Sequence, residues 1–563
     1  MSRSTETVVQ RVRRRWSTLK SERSGWHSVW YDIQRFVVPD MGRFKDPSRR
    51  DTGSRNDSAI LDNSATRALR TLAAGWVSGT SSPAQPWFEL RAADEAMRDN
   101  PAVKAWLAKV RDLLRDVFQK SNTYRALHTM REEMAAFGTA AAIVMEDFDN
   151  VIHLHPVTAG TYALATDARG VVNTFYREFP MTVEQMVDEF GLDAVSEHVR
   201  DLYKNGNYDT QFTVIHAIEP RPAGERKRPG ALGAAFREVY FEEGRETSDP
   251  LRESGYKRFR VLAPRWIVNG ENVYGTSPAR EALGDIKQLQ QMQLRKSQAV
   301  DYQTKPPLQG PSRSKGNNSD LMPGGYSTTD GANPNAKIST VFEVRLDLQH
   351  LVADIQDVRQ RISRTFYEDV FRMISDLDKS GITARQIAEQ HSEKMMLLGP
   401  VIERDQNELL SPLIEIAFDI VSEAGILPPP PDELQDSPVV SVEFVSILAQ
   451  AQKQAGASAV DRLLATVGTL APIWPEAVDK VNADAVVEEY AEMLGTNPKL
   501  LRDEETLAAV RQGRAQQQQA AQQAEQQAQQ ASVAKDMAAA QATAPAGNSN
   551  TAQQLDIARL LGG

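Results

Sequence analysis

The stretch Tyr274-Gly275-Thr276-Ser277-Pro278-Ala279 decides how the middle of this chain folds, because it opens a long helix. Thr276 or Ser277 can cap the helix. Pro278 suits the first helical turn, because the N–H that proline lacks would have no partner there. Small and apolar residues then recur every three or four positions, which predicts one narrow buried stripe on an otherwise wet helix. The helix must end near Pro306, since proline removes a hydrogen-bond donor and restricts the residue before it.

An irregular excursion follows from Pro306 to about Ser339, and its composition turns to Pro, Gly, Ser and Asn. Turn signals cluster at Pro323-Gly324-Gly325 and at Asn333-Pro334-Asn335. The excursion is too short for a domain and too long for an ordinary turn. We therefore predict a small tip between two helices.

A second helix is predicted from about Val344 to Ile374, and it has the cleanest amphipathic pattern in the chain. A stalk with one apolar seam on each helix cannot satisfy both its wet faces and its buried seams alone. It needs neighbours, most simply copies of itself. The seam positions are Leu283, Ile286, Leu289, Leu348, Ile355 and Ile362.

Several of these motifs resemble a known family. The opening stretch, followed by Ala282-Leu283-Gly284-Asp285-Ile286-Lys287-Gln288-Leu289, is similar to the stem entry of the podovirus head-to-tail connector, or portal, family. The run from Asp62 through Ala73-Ala74-Gly75 to Pro86-Trp87-Phe88 resembles the same family, and residues 170–191 resemble its wing region. The resemblance covers roughly residues 20–430.

The resemblance implies a ring, most simply a dodecamer, at one capsid vertex, with paired helices lining a channel for DNA. The implied fold class is α+β and predominantly helical, with an α/β wing, a two-helix stem, a small clip, a helical crown and a C-terminal helical barrel. Implied partners are the large terminase subunit, a tail adaptor, the major capsid and scaffolding proteins, and double-stranded DNA passing without sequence specificity. The implied location is the virion, with assembly in the host cytoplasm.

Carried onto this chain, the resemblance predicts a series of segments. They are the wing (1–272), the first stem helix (273–305), the clip (306–340), the second stem helix (341–374), the tunnel loop (375–382), a long wing-to-crown helix (383–432), the crown (433–510) and a Gln/Ala-rich C-terminal barrel helix with a mobile tail (511–563). The family's capping motif after the tunnel loop corresponds to Thr383-Ala384-Arg385-Gln386, whose last two positions depart from it. Gln386 can still complete a capping box.

Contact residues also follow from the resemblance. In the family the tunnel loop projects into the channel, so the candidates for DNA contact are Asp376, Asp378, Lys379 and Ser380. The family's clip docks the terminase during packaging and later a tail adaptor. The corresponding candidates are Arg313, Lys315, Asp320 and Lys337.

The residues before the stem alternate between helical and strand patterns, which predicts one α+β body. The predicted helices are 5–38, one carrying Leu69 and Trp76, 101–120, 123–137 and 182–190. The predicted strands start at Pro86 and Ala142, fill much of 151–178, and continue at 212–219, 237–241 and 258–262. After the stem, a long helix perturbed at Pro400 and Pro412 and a strand at 439–445 are predicted.

Sequence motifs for catalysis are missing. Residues 310–316 have a lysine and glycines but not the spacing of a Walker loop, and no Gly-x-Ser-x-Gly elbow occurs. With no cysteine, the chain can form neither disulfides nor thiolate metal sites. His153 and His155 share one face of a predicted strand but lack a third ligand. We predict no enzymatic activity, no cofactor and no metal.

Charge and hydropathy narrow the remaining classes of protein. The net charge of −10 argues against a tight, general DNA-coating protein but suits a conduit along which DNA must slide. We interpret the basic run Arg11 to Arg15 as a charged helix face, with nucleic acid or scaffold contact as the alternative. Arg295, Lys296 and Lys305, beside the tip, are either solvated or in contact with DNA or the packaging motor.

No stretch approaches the length of a membrane helix, so we expect a soluble protein that binds no membrane. The alternative to a connector is a non-enzymatic helical scaffold or DNA-binding protein whose long helices form an intramolecular bundle. Assembly into a closed ring would distinguish the two.

Overall fold

A computed structural model describes residues 6–44, 59–94, 97–98, 100–244, 249–311, 323–329, 339–341, 348–375, 398–434 and 440–445, with shorter stretches between 464 and 535. The chain divides into two compact units, Met1–Thr469 and Leu470–Gly563. In the second unit, the described residues include helical segments at 509–514 and 530–535. All elements named below belong to the first unit.

The helices with described bounds are α1 (Val8–Phe36), α2 (Ser64–Thr80), α3 (Pro101–Lys120), α4 (Thr123–Phe137), α5 (Val183–Phe190), α6 (Glu197–Lys204), α7 (Pro278–Glu281), α8 (Leu283–Thr304), α9 (Leu348–Thr365), α10 (Glu368–Ser375) and α11 (Ser411–Glu423). The strands are β1 (Phe88–Ala92), β2 (Ala141–Asp147), β3 (Val151–Val157), β4 (Tyr162–Thr166), β5 (Val172–Thr182), β6 (Gln211–Pro220), β7 (Phe236–Glu242), β8 (Arg252–Tyr256), β9 (Val261–Leu262), β10 (Leu308–Pro311), β11 (Tyr326–Thr329), β12 (Ser339–Thr340) and β13 (Val440–Phe444).

The strands form a five-stranded sheet in the order β4-β5-β6-β7-β8, two three-stranded sheets, β3-β2-β9 and β11-β10-β12, and the pair β1-β13. All pairings are antiparallel except that of β10 with β11. The predicted mixture of helix and sheet is thus confirmed. The strand predicted at 439–445 is β13, and it pairs Phe444 with Phe88 of β1.

The largest hydrophobic core joins α1 to α4 with the strands β2 and β3 and with α8 to α11. Trp76 of α2 lies at its centre, with ring centroids 5.0 Å from Trp266 and 5.3 Å from Phe371. Gly75 allows α10 to approach α2 closely, since a Cβ there would lie 2.5 Å from the carbonyl oxygen of Phe371. The elements before and after the stem therefore share one core.

The five-stranded sheet, which we call the wing sheet, is covered by different helices on its two faces. Because side chains alternate along a strand, neighbouring residues of β6 and β7 point to opposite faces. Ile215 and Val239 face α1, where they pack with Val9, Val12, Trp16 and Leu19. Val214 and Tyr240 face the other side, where they pack with Val183 and Met186 of α5, Val195, and Val199 of α6.

A buried polar cluster lies on the α5 and α6 side of the wing sheet. Arg177 Nε donates to His216 Nδ1 at 3.2 Å, so the proton of a neutral His216 is on Nε2, 3.0 Å from Glu238 Oε1. The imidazole also stacks on Tyr240 at 4.0 Å. Burial and the charge of Arg177 lower the pKa of His216 to about 4, although Glu238 opposes the shift.

We expect His216 to make the first compact unit sensitive to acid. The pKa of this imidazole in the unfolded chain is near 6.5, so below pH 6.5 the unfolded chain binds a proton at His216 that the folded chain does not bind. The free energy of unfolding therefore falls as the pH drops toward 4. His216→Gln keeps an acceptor and a donor but cannot titrate, and it should reduce this loss by up to about 3 kcal/mol. Urea unfolding of both proteins at pH 7 and 4.5 measures the difference. An equal loss in both would contradict the assignment.

The second stem helix, predicted as one helix over 341–374, is interrupted, and that prediction was wrong. α9 ends at Thr365 and α10 begins at Glu368. Between them Tyr367 has a φ of 52°, in the left-handed region that non-glycine residues rarely adopt. Buried Phe366, Val370 and Phe371 continue the apolar spacing across the break, which therefore leaves no mark in the hydrophobic pattern.

Two further elements differ from the sequence prediction. The strand predicted at 258–262 is only the short β9 at Val261–Leu262, because Arg258 turns outward and its Nε lies 2.9 Å from Asp419 Oδ2 of α11. β8 and α6 were not predicted. α6 covers only eight residues and β8 only five, so each offers too few positions for a hydrophobic pattern to be recognised.

The helix predicted after the tunnel loop is described from residue 398. Residues 398–405 are helical and continue through a π-helical turn, Gln406–Leu410, into α11. Pro412 has no N–H to donate to a carbonyl one turn earlier. The α-helical hydrogen-bond pattern therefore changes to the wider π-helical pattern just before Pro412. The perturbation predicted at Pro412 is thereby confirmed.

The stem entry rests on a close contact between two glycines. Gly138, which ends α4, has a φ of 79°, and a Cβ on it would lie 2.2 Å from the carbonyl oxygen of Gly275. Trp266 N donates to the Gly138 carbonyl at 2.9 Å, so the backbone on both sides is held. No larger residue fits at position 138 without moving the start of the stem.

We expect Gly138→Ala to destabilise the first compact unit by roughly 2 kcal/mol or more, from the left-handed conformation together with the clash. Gly170→Ala is the matched control, because Gly170 has a φ of 78° and a Cβ added there would meet nothing within 4 Å. The difference in urea midpoint between the two variants measures the clash alone. Equal midpoints would show that the Gly275 contact adds no constraint.

Candidate functional site

The two stem helices run antiparallel. Arg361 Nη2, near the end of α9, lies 3.1 Å from Asp285 Oδ1, near the start of α8. At the far ends the chain continues into β10 and out of β12, which pair Leu308 with Thr340. The sequence thus folds as a helix pair that carries a small sheet at its tip.

The predicted seam is buried within a single chain. Ile286, Leu289 and Ile362 have no exposed surface, and Ile355 is 2% exposed. Leu283 is half-buried, and the side chain of Leu348 lies outside the described part of the structure. Their neighbours include α1 and α2 of the same chain. Ile286, Leu289, Ile355 and Ile362 are thus buried without the further copies of the chain that the sequence suggested. A seam between copies stays a prediction.

A polar clamp, formed by Asp62, Ser64, Gln290, Gln293 and Arg359, joins both stem helices to the start of α2. Asp62 Oδ2 accepts from Arg359 Nη2 at 2.6 Å and from Gln293 Nε2 at 2.8 Å. Its Oδ1 accepts from Ser64 N at 3.0 Å. Gln290 is 5% exposed. Its Oε1 accepts from Asp62 N and its Nε2 donates to the Asp62 carbonyl oxygen, each at 2.9 Å.

The clamp holds Asp62 as a carboxylate. Burial alone would raise the pKa of Asp62, but hydrogen bonds from Ser64, Arg359 and Gln293 outweigh it and hold the pKa below its ordinary value. A charged, multiply bonded carboxylate gives the helix pair a fixed geometry at its root. The clamp therefore sets where the stem leaves the body.

A fully buried ion pair anchors the helix that follows the predicted tunnel loop. Arg131 Nη2 of α4 lies 3.0 Å from Asp405 Oδ2, and neither side chain is exposed. Trp76 Nε1 donates to the same carboxylate oxygen at 3.3 Å, and Arg131 Nη2 also reaches Thr80 Oγ1 at 3.2 Å. The pair thus ties residues 398–405 to α2 and α4.

The π-helical turn places a second charged anchor just beyond this pair. Glu408 Oε1 lies 2.6 Å from Arg265 Nη2, and Glu408 Oε2 accepts from the backbone N of Arg265 at 2.9 Å. Arg265 Nη2 also donates to the carbonyl of Gly170 at 2.8 Å. One side chain in the turn therefore fixes the segment that leads into the stem.

The residues predicted to touch DNA and docking proteins lie outside the described part of the chain. These are the tunnel-loop residues Asp376, Asp378, Lys379 and Ser380 and the clip residues Arg313, Lys315, Asp320 and Lys337. The structure describes the elements that flank them. The described elements nearest in sequence to the predicted tunnel loop are α10, which packs against Gly75, and residues 398–405, which are held by Arg131. On the side of the predicted clip, Arg295 in the second half of α8 and Lys305, which follows α8, are exposed.

The described residues hold neither a metal site nor a membrane span. No group of three or more His, Asp or Glu side chains there could hold a metal, and His153 and His155 on β3 gain no third ligand. Within the same residues, no helix is both long and apolar enough to span a bilayer. At the junctions of helices, buried Arg131 and Asp405 pair with each other, and Asp62 pairs with Arg359.

Sequence reasoning missed most of these anchoring residues. Asp62 belonged to a family-like run, but Gln290, Gln293 and Arg359 looked like ordinary residues on a wet helix face. Arg131 and Asp405 are 274 positions apart, and no local pattern links them. A glutamine beside an apolar stripe was the one signal available, since Gln290 adjoins the buried Leu289.

Comparison with known proteins gives a consistent assignment. The family model described as "Bacteriophage head to tail connecting protein" matches residues 9–501. The "Probable portal protein" of Bordetella phage BPP-1 is 50% identical over 507 residues, 90% of this chain and 91% of that protein. The "Portal protein" of Salmonella phage epsilon15 is 38% identical over 543 residues, 96% of this chain and 97% of that protein.

A solved structure titled "Virion of native gene transfer agent (GTA) particle" contains a chain that aligns with a TM-score of 0.34 and 12% identity, over 83% of this chain and 99% of that one. Likeness at this level carries no argument about function. The family model and the two phage relatives span the body, the stem and the region beyond it. The resemblance found in the sequence is confirmed, and the chain belongs to the bacteriophage head-to-tail connecting protein family.

Proposed function

We propose that this protein is a phage portal subunit, which forms a ring channel at one capsid vertex, through which the genome is packaged and ejected, and which connects head to tail. The observation that carries the proposal is the alignment with two phage portal proteins over nine-tenths or more of this chain. The antiparallel stem with its small tip sheet supports it, because it supplies an elongated helix pair fixed to a body.

The mechanism we propose is structural. In a dodecameric ring, α8 and α9 would line the channel, and the clamp at Asp62 would hold their angle to the body. The tunnel loop, with Asp376, Asp378, Lys379 and Ser380, would reach the DNA. Weak, non-specific contact suits this role, since a strongly basic wall would retain the DNA rather than let it slide.

The proposed partners dock at the tip. The clip, with Arg313, Lys315, Asp320 and Lys337, would bind the large terminase subunit during packaging and a tail adaptor afterwards. The wing would meet the major capsid and scaffolding proteins in the virion, after assembly in the host cytoplasm. The terminase would hydrolyse ATP, and this chain would have no catalytic role, as the missing phosphate-binding motifs in the sequence suggest.

Native mass spectrometry of the purified protein tests this proposal first. A discrete species near twelve subunits is the expected result. A stable monomer at high concentration, with no ring under capsid-assembly conditions, would contradict it and favour a helical scaffold. Complementation of a portal-deficient phage with Lys379→Ala and Lys315→Ala variants then tests the loop and the clip separately, because each should reduce packaging while leaving the ring intact.

A further inference from the structure

The wing sheet separates two surfaces of opposite charge. On the α1 side, basic residues from two distant parts of the sequence come together, because Arg11 Nη1 of α1 lies 3.2 Å from Glu225 Oε1 in the loop between β6 and β7. Arg15 lies one helical turn after Arg11, and Lys227 and Arg228 follow Glu225 by two and three residues. All three side chains are exposed, and no ion pair is found for them within the described part of the chain. We call Arg15, Lys227 and Arg228 the basic surface.

The other side of the wing sheet carries acidic residues. α5 and α6 bury Val183, Met186 and Val199 against the sheet and turn their polar residues outward. Glu189 pairs with Arg252 at 2.6 Å. The remaining exposed carboxylates of residues 183–210 form no ion pair within the described residues, and we call them the acidic surface: Glu184, Asp188, Asp193, Glu197, Asp201 and Asp209.

We propose that neighbouring copies of this chain bind one another head to tail, with the basic surface of one copy against the acidic surface of the next. The inference rests on the proposed ring and names the surfaces that build it. The two surfaces lie on opposite faces of one sheet, so each contact uses a different surface on each partner. A contact of that kind repeats from copy to copy and can close into a ring.

Charge complementarity favours a second copy of this chain over double-stranded DNA as the partner of the basic surface. DNA would be attracted to the basic surface but repelled by the acidic surface of the same body, in a chain whose net charge is −10. A second copy satisfies both surfaces at once. Opposed patches of this type steer association and reject wrong registers, and their strength falls as salt rises.

Charge reversal tests the pairing. Arg15→Glu/Lys227→Glu/Arg228→Glu gives a chain with two acidic surfaces, and replacing all six carboxylates of the acidic surface by lysine gives a chain with two basic surfaces. Each should lose at least about tenfold in ring population by native mass spectrometry, because like charges then face each other. An equimolar mixture should recover rings in which the two chains alternate, and an even-numbered ring such as a dodecamer permits that alternation.

Controls separate this inference from general effects of charge and from failure of the proposed function. Lys109→Glu/Lys120→Glu/Arg125→Glu lowers the net charge by as much as the basic-surface variant does, on exposed positions of α3 and α4, and it should assemble like the wild type. Circular dichroism checks that all variants fold. Wild-type rings together with intact rings from either reversed chain would overturn the inference and leave the portal proposal standing.

Two more outcomes would also overturn it. A mixture that fails to assemble when both single variants have failed would show that the surfaces do not pair with each other. A basic-surface variant that assembles normally but no longer shifts a double-stranded DNA fragment in a gel would assign that surface to DNA. If the wild type itself forms no ring, the portal proposal and this inference fall together.

Discussion

Replacing Arg131 by methionine should lower the free energy of unfolding of the first compact unit by about 3 to 5 kcal/mol. Neither Arg131 nor Asp405 is exposed, and the substitution would leave the Asp405 carboxylate buried without its charged partner. The cost follows from desolvation, because a carboxylate in the interior loses its water and keeps only the hydrogen bond from Trp76. Urea unfolding followed by tryptophan fluorescence measures it.

A double variant shows whether the loss comes from the unpaired charge. Arg131→Met/Asp405→Leu removes both charges and should recover most of the lost stability, since apolar replacements of buried ion pairs are often tolerated. Lys257→Met is the matched control, because Lys257 pairs with Glu423 at 2.9 Å with 84% of its side chain exposed. It should leave the urea midpoint almost unchanged, because water screens an exposed pair. A loss in Arg131→Met no larger than in this control would remove the anchoring role.

Ile355→Asp and Ile362→Asp should each destabilise the stem by about 4 kcal/mol or more, because each would bury a carboxylate in place of a packed side chain. Ile355 is 2% exposed and Ile362 is not exposed at all. Since both are buried within one chain, the fold should weaken even in a protein that has not assembled. Thermal unfolding of the dilute protein and native mass spectrometry of the concentrated protein measure the two effects.

The neighbouring Val352 supplies the control for the seam. It lies one turn before Ile355 on α9 and is 38% exposed, so Val352→Asp should change the stability of the chain by less than about 1 kcal/mol. A stem that tolerates aspartate at position 355 as well as at 352 would refute the seam assignment. Loss of the ring in Val352→Asp without loss of stability would place that face of α9 between copies.

Much of the fold could be predicted from the sequence because its signals are local. Asn100 accepts from the backbone of Ala102 and Val103 at the start of α3, as a cap predicts. Ser277 caps and Pro278 begins the predicted first stem helix, which is divided at Ala282 into α7 and α8. The strands at β6 and β13 were also readable. Such signals depend on residues within a few positions of one another, which is the range that a sequence pattern covers.

The anchoring residues could not be predicted, because their partners are distant in the sequence. No residue near Asp62 in the sequence indicates that Arg359 is its partner. The break at Tyr367 has no helix-breaking residue, and α10 beyond it packs closely against Gly75. An uninterrupted apolar period fits both a straight helix and two helices that meet at an angle. For the tunnel loop and the clip, the family resemblance rather than the residue pattern supplied the assignment, and these sites remain predictions.

The π-helical turn at Gln406–Leu410 has a consequence for how this chain tolerates insertions and deletions. Such a turn holds one residue more than an α-helical ladder needs, so losing one residue here would leave a regular helix. Because the turn absorbs its extra residue locally, that shortening would keep residues 398–405 in phase with α11 and Asp405 beside Arg131. Loss of a residue from the regular helix on either side would instead rotate residues 398–405 by about 100° relative to α11 and separate Asp405 from Arg131. Alignments of relatives should therefore place single-residue length changes of this helix at Gln406–Leu410.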